Sequence, residues 1–315
     1  MLTLGIDTSN YATSLAVFDT NAGEVVCDCK KVFWPVKAGQ LGLRQSDALF
    51  HHTAALPDLL AELGTKADLT QIGAVGVPPS PARWRAPTLP CFWRASTPLR
   101  PCAGQGHPAD THHPPAGHIA AALFATGERE LFEQENLVFH VSGGTTDLLL
   151  CQGAERITPL GTSQDLYAGQ AVDRLGVKLG YPFPAGVYVS EQAAQCTEKV
   201  HPKVSVKGVN CSLSGLENQY TKLLAEGKDP AYVCKYCLIC VAETLARMAR
   251  AALEDHPGLP VVFAGGVMSS DLIRTYVSAR VPGARFVPGK FASDNAIGVS
   301  ILAAREQGAW QTTSM

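Results

Sequence analysis

Phe139-His140-Val141-Ser142-Gly143-Gly144-Thr145-Thr146-Asp147-Leu148-Leu149-Leu150 is the stretch whose reading decides the fold. Two apolar runs, Leu137 to Val141 and Leu148 to Cys151, flank a Ser-Gly-Gly-Thr-Thr turn. That pattern predicts a β-hairpin whose tip exposes backbone amides. Such a tip holds phosphate: Ser142 and Thr145 add hydroxyl donors, while Gly143 and Gly144 let the backbone approach a ligand and adopt positive φ. Alone, a Gly-Gly turn is more often only a turn.

A second tip of the same kind changes the reading. Leu2 to Ile6 is an apolar strand, Asp7-Thr8-Ser9-Asn10-Tyr11-Ala12-Thr13 follows, and Ser14 to Phe18 returns as another strand. Two phosphate-type hairpins in one chain predict duplicated halves around a cleft. The arrangement resembles the actin, sugar-kinase and Hsp70 superfamily, an α/β fold of two ribonuclease H-like lobes with a nucleotide between them. Leu259 to Ala264, running into Gly265-Gly266-Val267-Met268-Ser269-Ser270 and a helix, looks like that superfamily's adenosine-binding turn.

At 315 residues and 46% hydrophobic composition the chain is long enough for two lobes. The expected division is 1–126 and 127–315, with the last helix, about 293–305, a candidate to pack back on the first lobe. A formal charge of -2 gives no general basic field, so nucleic-acid binding must be local or shared with another protein. A strand carrying Asp7 stands where a signal peptide would, and no apolar run is long enough to span a bilayer. The expectation is a cytoplasmic protein without membrane contact, its ten cysteines reduced.

Along the first lobe, Glu24 to Cys29 is a third strand. Arg44 to Gly64 reads as an amphipathic helix burying Leu49, Ala54, Leu56, Leu59, Leu60 and Leu63, with His51 and His52 as ordinary surface or core histidines. Ile72 to Val77 is another strand. The character then changes at Pro78. From Pro78 to Pro115 there are 10 of the 21 prolines and no Ile, Val, Lys, Glu, Asn, Tyr or Met, so no packed element is expected there. A loop of this length inside a compact domain is suspect. The residue set, dominated by Pro, Arg, Ala, Gly, Cys and Trp, is what a G/C-rich gene yields when read in the wrong frame. Normal patterning resumes at Gly117-His118-Ile119-Ala120.

In the second lobe, Asp165 to Gly176 reads as a helix beginning near Asp165, and Tyr181 to Gly186 as a Pro- and Gly-rich turn. Val209 to Leu216 ends a strand and opens a helix capped by Ser214. Tyr232 to Leu253 and Ser293 to Arg305 are helices. Cys234, Cys237 and Cys240 fall on a helical pattern with no fourth cysteine at iron–sulfur spacing, so buried thiols are expected. Pro288-Gly289-Lys290 lacks the spacing of a phosphate-binding loop.

Six ordered blocks carry a more particular resemblance: Ile6-Asp7-Thr8-Ser9, Val141 to Thr145, Ala168 to Arg174, Ser212 to Leu216, Ala264 to Val267, and Ser293-Asp294-Asn295-Ala296. In order and approximate spacing they are similar to the TsaD-type family of tRNA threonylcarbamoyladenosine synthases, formerly called glycoproteases. The resemblance implies transfer of threonylcarbamoyl from threonylcarbamoyl-AMP to the N6 amine of the adenosine 3′ of a tRNA anticodon. It implies nucleotide contacts at His140, Val141, Ser142, Gly143, Gly144, Asp173, Gly186, Gly265, Gly266 and Ser270, the last where the family usually has Asn. It implies catalytic positions at Asp7, His118 and Asp294. The family's divalent metal, iron or zinc, is held by two histidines in His-x-x-x-His and a later Asp. His118 and Asp294 match two of these ligands, and Pro114 stands in place of the first histidine. His113, by a local shift, or His140 would then complete the set. Implied partners are tRNA, a smaller paralogous subunit and an ATPase. Glu217, where relatives commonly have Lys, and Gln170, where they have Glu, mark a divergent branch or a paralogue. The competing readings are a non-catalytic, nucleotide-binding partner subunit and a small-molecule kinase of the same superfamily. No His-Glu-x-x-His segment supports a protease.

Overall fold

The structure, a computed structural model, describes residues 1–8, 12–33, 45–78, 101–103, 116–154, 156–291 and 295–311. The chain separates into two compact units, Met1–Phe124 with Asp294–Met315, and Ala125–Ser293.

The first unit is built on a five-stranded sheet. Strands β1 (Leu2–Asp7), β2 (Ala12–Asp19), β3 (Glu24–Val32), β4 (Ile72–Val77) and β5 (Pro101–Ala103) lie in the order β3-β2-β1-β4-β5. β1 and β2 pair antiparallel, Ile6 opposite Leu15 and Asp7 opposite Ser14, as the alternation predicts. β5 pairs parallel with β4, so the proline-rich stretch, expected to carry no packed element, contributes three strand residues. The rest of that stretch lies outside the described residues.

Alternation gives the sheet two different faces. Leu4, Ile6, Leu15 and Val17 pack on helix α1 (Gln45–Gly64) through Ala55, Leu56, Leu59 and Leu63. The expected stripe of α1 needs correction, because Leu49 is 54% exposed and Ala54 is also at the surface. The inward side is taken instead by His52, whose Nδ1 lies 2.8 Å from Thr13 Oγ1 and whose ring meets Phe33 edge-on. The opposite face receives helices α2 (Ala116–Ala125) and α8 (Asn295–Glu306). A Cβ on Gly5 would stand 1.9 Å from the Ala296 carbonyl oxygen, so this β1 position accepts only glycine. Thr3 Oγ1 donates to the Ser300 carbonyl at 2.8 Å. Phe18, Phe124 and Trp310 close the end of this layer edge-to-face.

The second unit carries β6 (Glu135–Val141), β7 (Thr146–Gln152), β8 (Arg156–Thr162), β11 (Val261–Ala264) and β12 (Ala284–Phe286) in the order β12-β11-β6-β7-β8. Its helices are α3 (Ala168–Lys178), α4 (Gly186–Ala194), α5 (Ser214–Ala225), α6 (Pro230–Asp255) and α7 (Asp271–Ser278). A small hairpin joins β9 (Ser205–Lys207) to β10 (Asn210–Ser212). Phe263 opposes Phe139 on one side and Phe286 on the other in parallel register, and the three rings stack across the sheet at 4.7 and 5.3 Å.

α3 starts at Ala168, three residues later than its sequence predicts. Asp165 is not its cap. Its carboxylate instead accepts from the amides of Leu213 (2.7 Å) and Ser214 (3.1 Å) and from Ser214 Oγ (2.5 Å), capping α5, whose own Ser214 was the expected cap. Burial pushes the carboxyl up, but these bonds and the Leu166 amide outweigh it and hold Asp165 below the usual carboxylate range. Cys234, Cys237 and Cys240 are buried free thiols on α6, and burial raises Cys234 to about 12 and Cys240 to about 11. Such thiols are inert. Among the described residues no helix is long and apolar enough to cross a membrane.

Candidate functional site: the Gly-Gly hairpin tip and the Gly265 turn

The antiparallel pairing of β6 and β7 ends at Val141 opposite Thr146, which places Ser142–Thr145 at the tip. The tip is closed by its own bonds. Ser142 N donates to the Thr145 carbonyl at 2.9 Å, and Ser142 Oγ accepts from Gly144 N (3.1 Å) and Thr145 N (3.2 Å). Thr145 Oγ1 lies 3.0 Å from His140 Nδ1. The two hydroxyls expected as phosphate donors thus shape the turn. Gly143 and Gly144 do not take positive φ, which corrects the sequence reading; their value is room, since a Cβ on either would meet nothing within 4 Å.

α3 is seated against this tip. Gly169 N donates to the Ser142 carbonyl at 3.1 Å, and Ala168 N donates to Thr146 Oγ1 at 2.8 Å. A Cβ on Gly169 would lie 2.6 Å from Gly143 N, so the contact requires glycine. The positive end of the helix dipole therefore abuts an open, amide-bearing turn, the arrangement that binds phosphate.

The Gly265 turn reaches the same place from β11. Gly265 has φ +102°, and a Cβ there would stand 2.2 Å from the Val141 carbonyl oxygen. Gly266 faces open space, while Ser270, leading into α7, is 8% exposed with its hydroxyl unpartnered. A buried hydroxyl without a partner is costly unless something outside the protein satisfies it.

Asp173 follows Gly169 by four residues and so shares its side of α3. Its carboxylate accepts from Ala185 N at 2.8 Å and from the Gly186 amide; burial nevertheless raises it above the usual range. The second unit thus brings together His140 to Gly144, Asp173, Gly186, Gly265, Gly266 and Ser270. Sequence reading quoted Gly169 only as part of a block; a glycine in the first turn of a helix just beyond a Gly-Gly tip was the available signal.

In the first unit, Asp7 is 5% exposed and its Oδ1 accepts from Asn295 Nδ2 at 3.2 Å. Asn295 Oδ1 occupies the space beside Gly117, 2.1 Å from where a side chain would begin, and has no hydrogen-bond partner. His118 is the next residue. Burial first, and the Lys30 charge second, lower its pKa to about 4, so the imidazole is neutral at physiological pH. A neutral imidazole is the form that ligates metal or accepts a proton. Asp294 and His113 lie outside the described residues. Among the described residues no group of three or more His, Cys, Asp or Glu is placed to hold a metal ion, and one imidazole is not a ligand set.

Comparison with known proteins bears on both units. The model of the TsaD family, described as tRNA N6-adenosine threonylcarbamoyltransferase, matches residues 113–300. The chain belongs to this family. Relatives named tRNA N6-adenosine threonylcarbamoyltransferase include one from Caldivirga maquilingensis, 26% identical over 302 residues, covering 94% of this chain and 87% of its own. One from Streptococcus equi subsp. zooepidemicus is 29% identical over 203 residues, 61% of this chain and 60% of its own. The family match begins at the end of the proline-rich stretch. Solved structures share the fold at 14% identity. The crystal structure of T.kodakarensis HypF has a TM-score of 0.63 over 99% of this chain and 48% of its own. Component A of the (R)-2-hydroxyglutaryl-CoA dehydratase of Acidaminococcus fermentans has 0.60 over 98% and 99%. The fold is that of the actin, sugar-kinase and Hsp70 superfamily.

Proposed function

We infer that the chain transfers threonylcarbamoyl from threonylcarbamoyl-AMP to the N6 amine of the adenosine 3′ of a tRNA anticodon. The observation that carries this is the family match over 113–300, in which the Gly-Gly tip, Asp173 and the Gly265 turn all fall. In this reading the phosphate of the adenylate lies on the Ser142–Gly144 tip at the start of α3. Asp173 accepts from the ribose hydroxyls, and the adenine rests on the Gly266 backbone with Ser270 Oγ as its polar neighbour.

The acceptor amine attacks the carbamoyl carbon, the bond from that carbon to the phosphate oxygen breaks, AMP leaves, and the amine gives up one proton. Negative charge collects on the departing phosphate, where the helix dipole and tip amides stabilise it. Asp7 and His118 are the proposed proton-handling groups, the neutral imidazole being able to accept. A divalent metal in the family's manner would supply polarisation of the carbonyl. A smaller paralogous subunit and an ATPase are the proposed partners, and their surfaces would share the tRNA, in keeping with the net charge of -2.

The test is incubation of the folded protein and these partners with threonylcarbamoyl-AMP and unmodified tRNA, followed by nucleoside mass spectrometry. The expected result is the threonylcarbamoylated adenosine. Its absence beside a working positive control removes this reading.

A further inference from the structure

Asn295 is wholly buried, yet the oxygen of its side-chain amide has nothing to bind. Its place is set by the way α8 lies on the first sheet. Alternation along β1 turns Thr3, Gly5 and Asp7 to one face, and each meets this helix: Thr3 through the Ser300 carbonyl, Gly5 through the Ala296 carbonyl, Asp7 through the Asn295 amide. Glycines bring the backbones together. A Cβ on Gly76 of β4 would stand 2.0 Å from the Val299 carbonyl oxygen, and one on Gly298 of α8 would stand 1.7 Å from the Gly117 carbonyl oxygen of α2. Held against β1, β4 and α2 at backbone distance, α8 has little freedom to slide or turn, and its first residue, Asn295, is fixed with it.

The amide has one sensible orientation. Nδ2 donates to Asp7 Oδ1 at 3.2 Å; turned over, the group would set oxygen against a carboxylate oxygen. Oδ1 then faces Gly117, in the space that a side chain there would fill, and stays unpartnered. A buried carbonyl oxygen without a donor costs free energy, and an apolar side chain of the same branched shape would fill this slot without that cost. Packing alone therefore does not account for an amide here. What the amide adds over its apolar counterpart is one donor, and that donor is spent on Asp7. Asp7 is itself 5% exposed, so its carboxylate depends on protein groups to hold it.

We propose that Asn295 is a positioning residue: seated by α8 and admitted by Gly117, it fixes the Asp7 carboxylate in the orientation from which Asp7 serves the reaction. The proposal rests on the transferase reading for the reaction that Asp7 serves. Asn295 acts only through Asp7. It contributes direction, since a hydrogen bond to one carboxylate oxygen selects one rotamer, and leaves the other oxygen to the chemistry.

The experiment times a single turnover of threonylcarbamoyl-AMP and unmodified tRNA by the full assembly, with this chain as the parent, as Asn295→Leu, as Asp7→Ala and with both substitutions. Asn295→Leu keeps the branched shape and removes the donor. It is expected to slow turnover about 10- to 100-fold, with the affinities for a non-reactive adenylate and for tRNA unchanged. In the Asp7→Ala background the same substitution is expected to slow turnover no further, as for a residue that acts through Asp7. Asn295→Ala, which cannot overpack the slot, takes the place of the leucine variant if that one does not fold. Crystals of the Asn295 variant chain give a readout apart from activity: the Asp7 carboxylate is expected to turn out of its present orientation. The proposal is overturned if the variant turns over at the rate of an active parent, or if it loses affinity and keeps its rate. It is overturned equally if the double variant is slower than Asp7→Ala by the factor that the Asn295 substitution shows alone, as an effect through the neighbouring Asp294 would make it, or if Asp7 keeps its orientation in the variant crystals. Failure of the transferase reading looks different: the parent assembly yields no modified nucleoside, while the Asp7 carboxylate still turns when Asn295 is replaced.

Discussion

Replacing Gly265 with alanine tests whether the turn after β11 truly rests on the hairpin that ends in the Gly-Gly tip. Two penalties act together. At φ +102° an L-residue is strained by about 1–3 kcal/mol. The new Cβ would also begin 2.2 Å from the Val141 carbonyl oxygen. Carbon and carbonyl oxygen approach comfortably to roughly 3.3 Å, so turn and hairpin must part by roughly 1 Å. Overpacking of that kind costs about 1–3 kcal/mol, and the reduced freedom of the unfolded chain returns less than about 1 kcal/mol. The net loss is about 2–5 kcal/mol, or a fall in Tm of roughly 5–15 °C if the second unit melts as one domain. Gly266→Ala is the matched control. Its Cβ meets nothing within 4 Å and its φ is not positive, so its stability stays within about 0.5 kcal/mol of the parent. Differential scanning calorimetry gives both numbers. A Gly265→Ala protein melting within a degree or two of the parent, or a Gly266→Ala protein melting as low as Gly265→Ala, would refute the reasoning.

Asp165→Ala removes the carboxylate that caps α5 and is expected to cost about 1 kcal/mol at neutral pH. Because the folded pKa lies below the unfolded one, that contribution is present above the ordinary carboxylate range and is lost as pH falls through the folded value, so urea melts of parent and variant should converge in acid. Asp173→Ala is expected to weaken binding of a non-reactive adenylate roughly 10- to 100-fold by isothermal titration, with Asp173→Asn, which keeps one acceptor, losing less; equal affinities would remove the ribose role. Resequencing the coding DNA between Pro78 and Pro115 in independent clones is expected to reveal a displaced frame, and an intact open frame in every clone would dismiss that explanation of the proline-rich stretch.

Both hairpins were legible because strand alternation is local: Leu4 and Ile6 against Thr3 and Gly5 assign two faces before any partner is known. The bend after β11 was legible because an apolar strand running into a glycine doublet marks a turn. What failed needed a tertiary partner. Asp165 lies a few residues before a helix and so reads as its start, yet the donors it satisfies belong to Leu213 and Ser214, 48 and 49 positions away. The stripe of α1 was misplaced because a histidine counts as polar until Thr13 and Phe33 are seen to enclose His52, turning Leu49 outward. In the site, the flanking strands and the glycine doublet named the tip, whereas Asp173 was named only by the family resemblance. The orphaned Ser270 hydroxyl and the Asn295 amide shared between Asp7 and Gly117 are properties of burial, which a sequence does not print.

The last helix has a consequence for the order in which the molecule is made. Gly5 and Thr3 are covered by Ala296 and Ser300, whose synthesis comes nearly the whole chain later. At roughly 5–20 residues per second a ribosome needs about 15–60 s to cover that distance. Throughout that interval Thr3 and Gly5 lack the helix that covers them, while residues 125–293 emerge and can collapse as a unit. The nascent chain should therefore be a client for holdase chaperones through its earliest strands, and its maturation should finish only when the final helix is released.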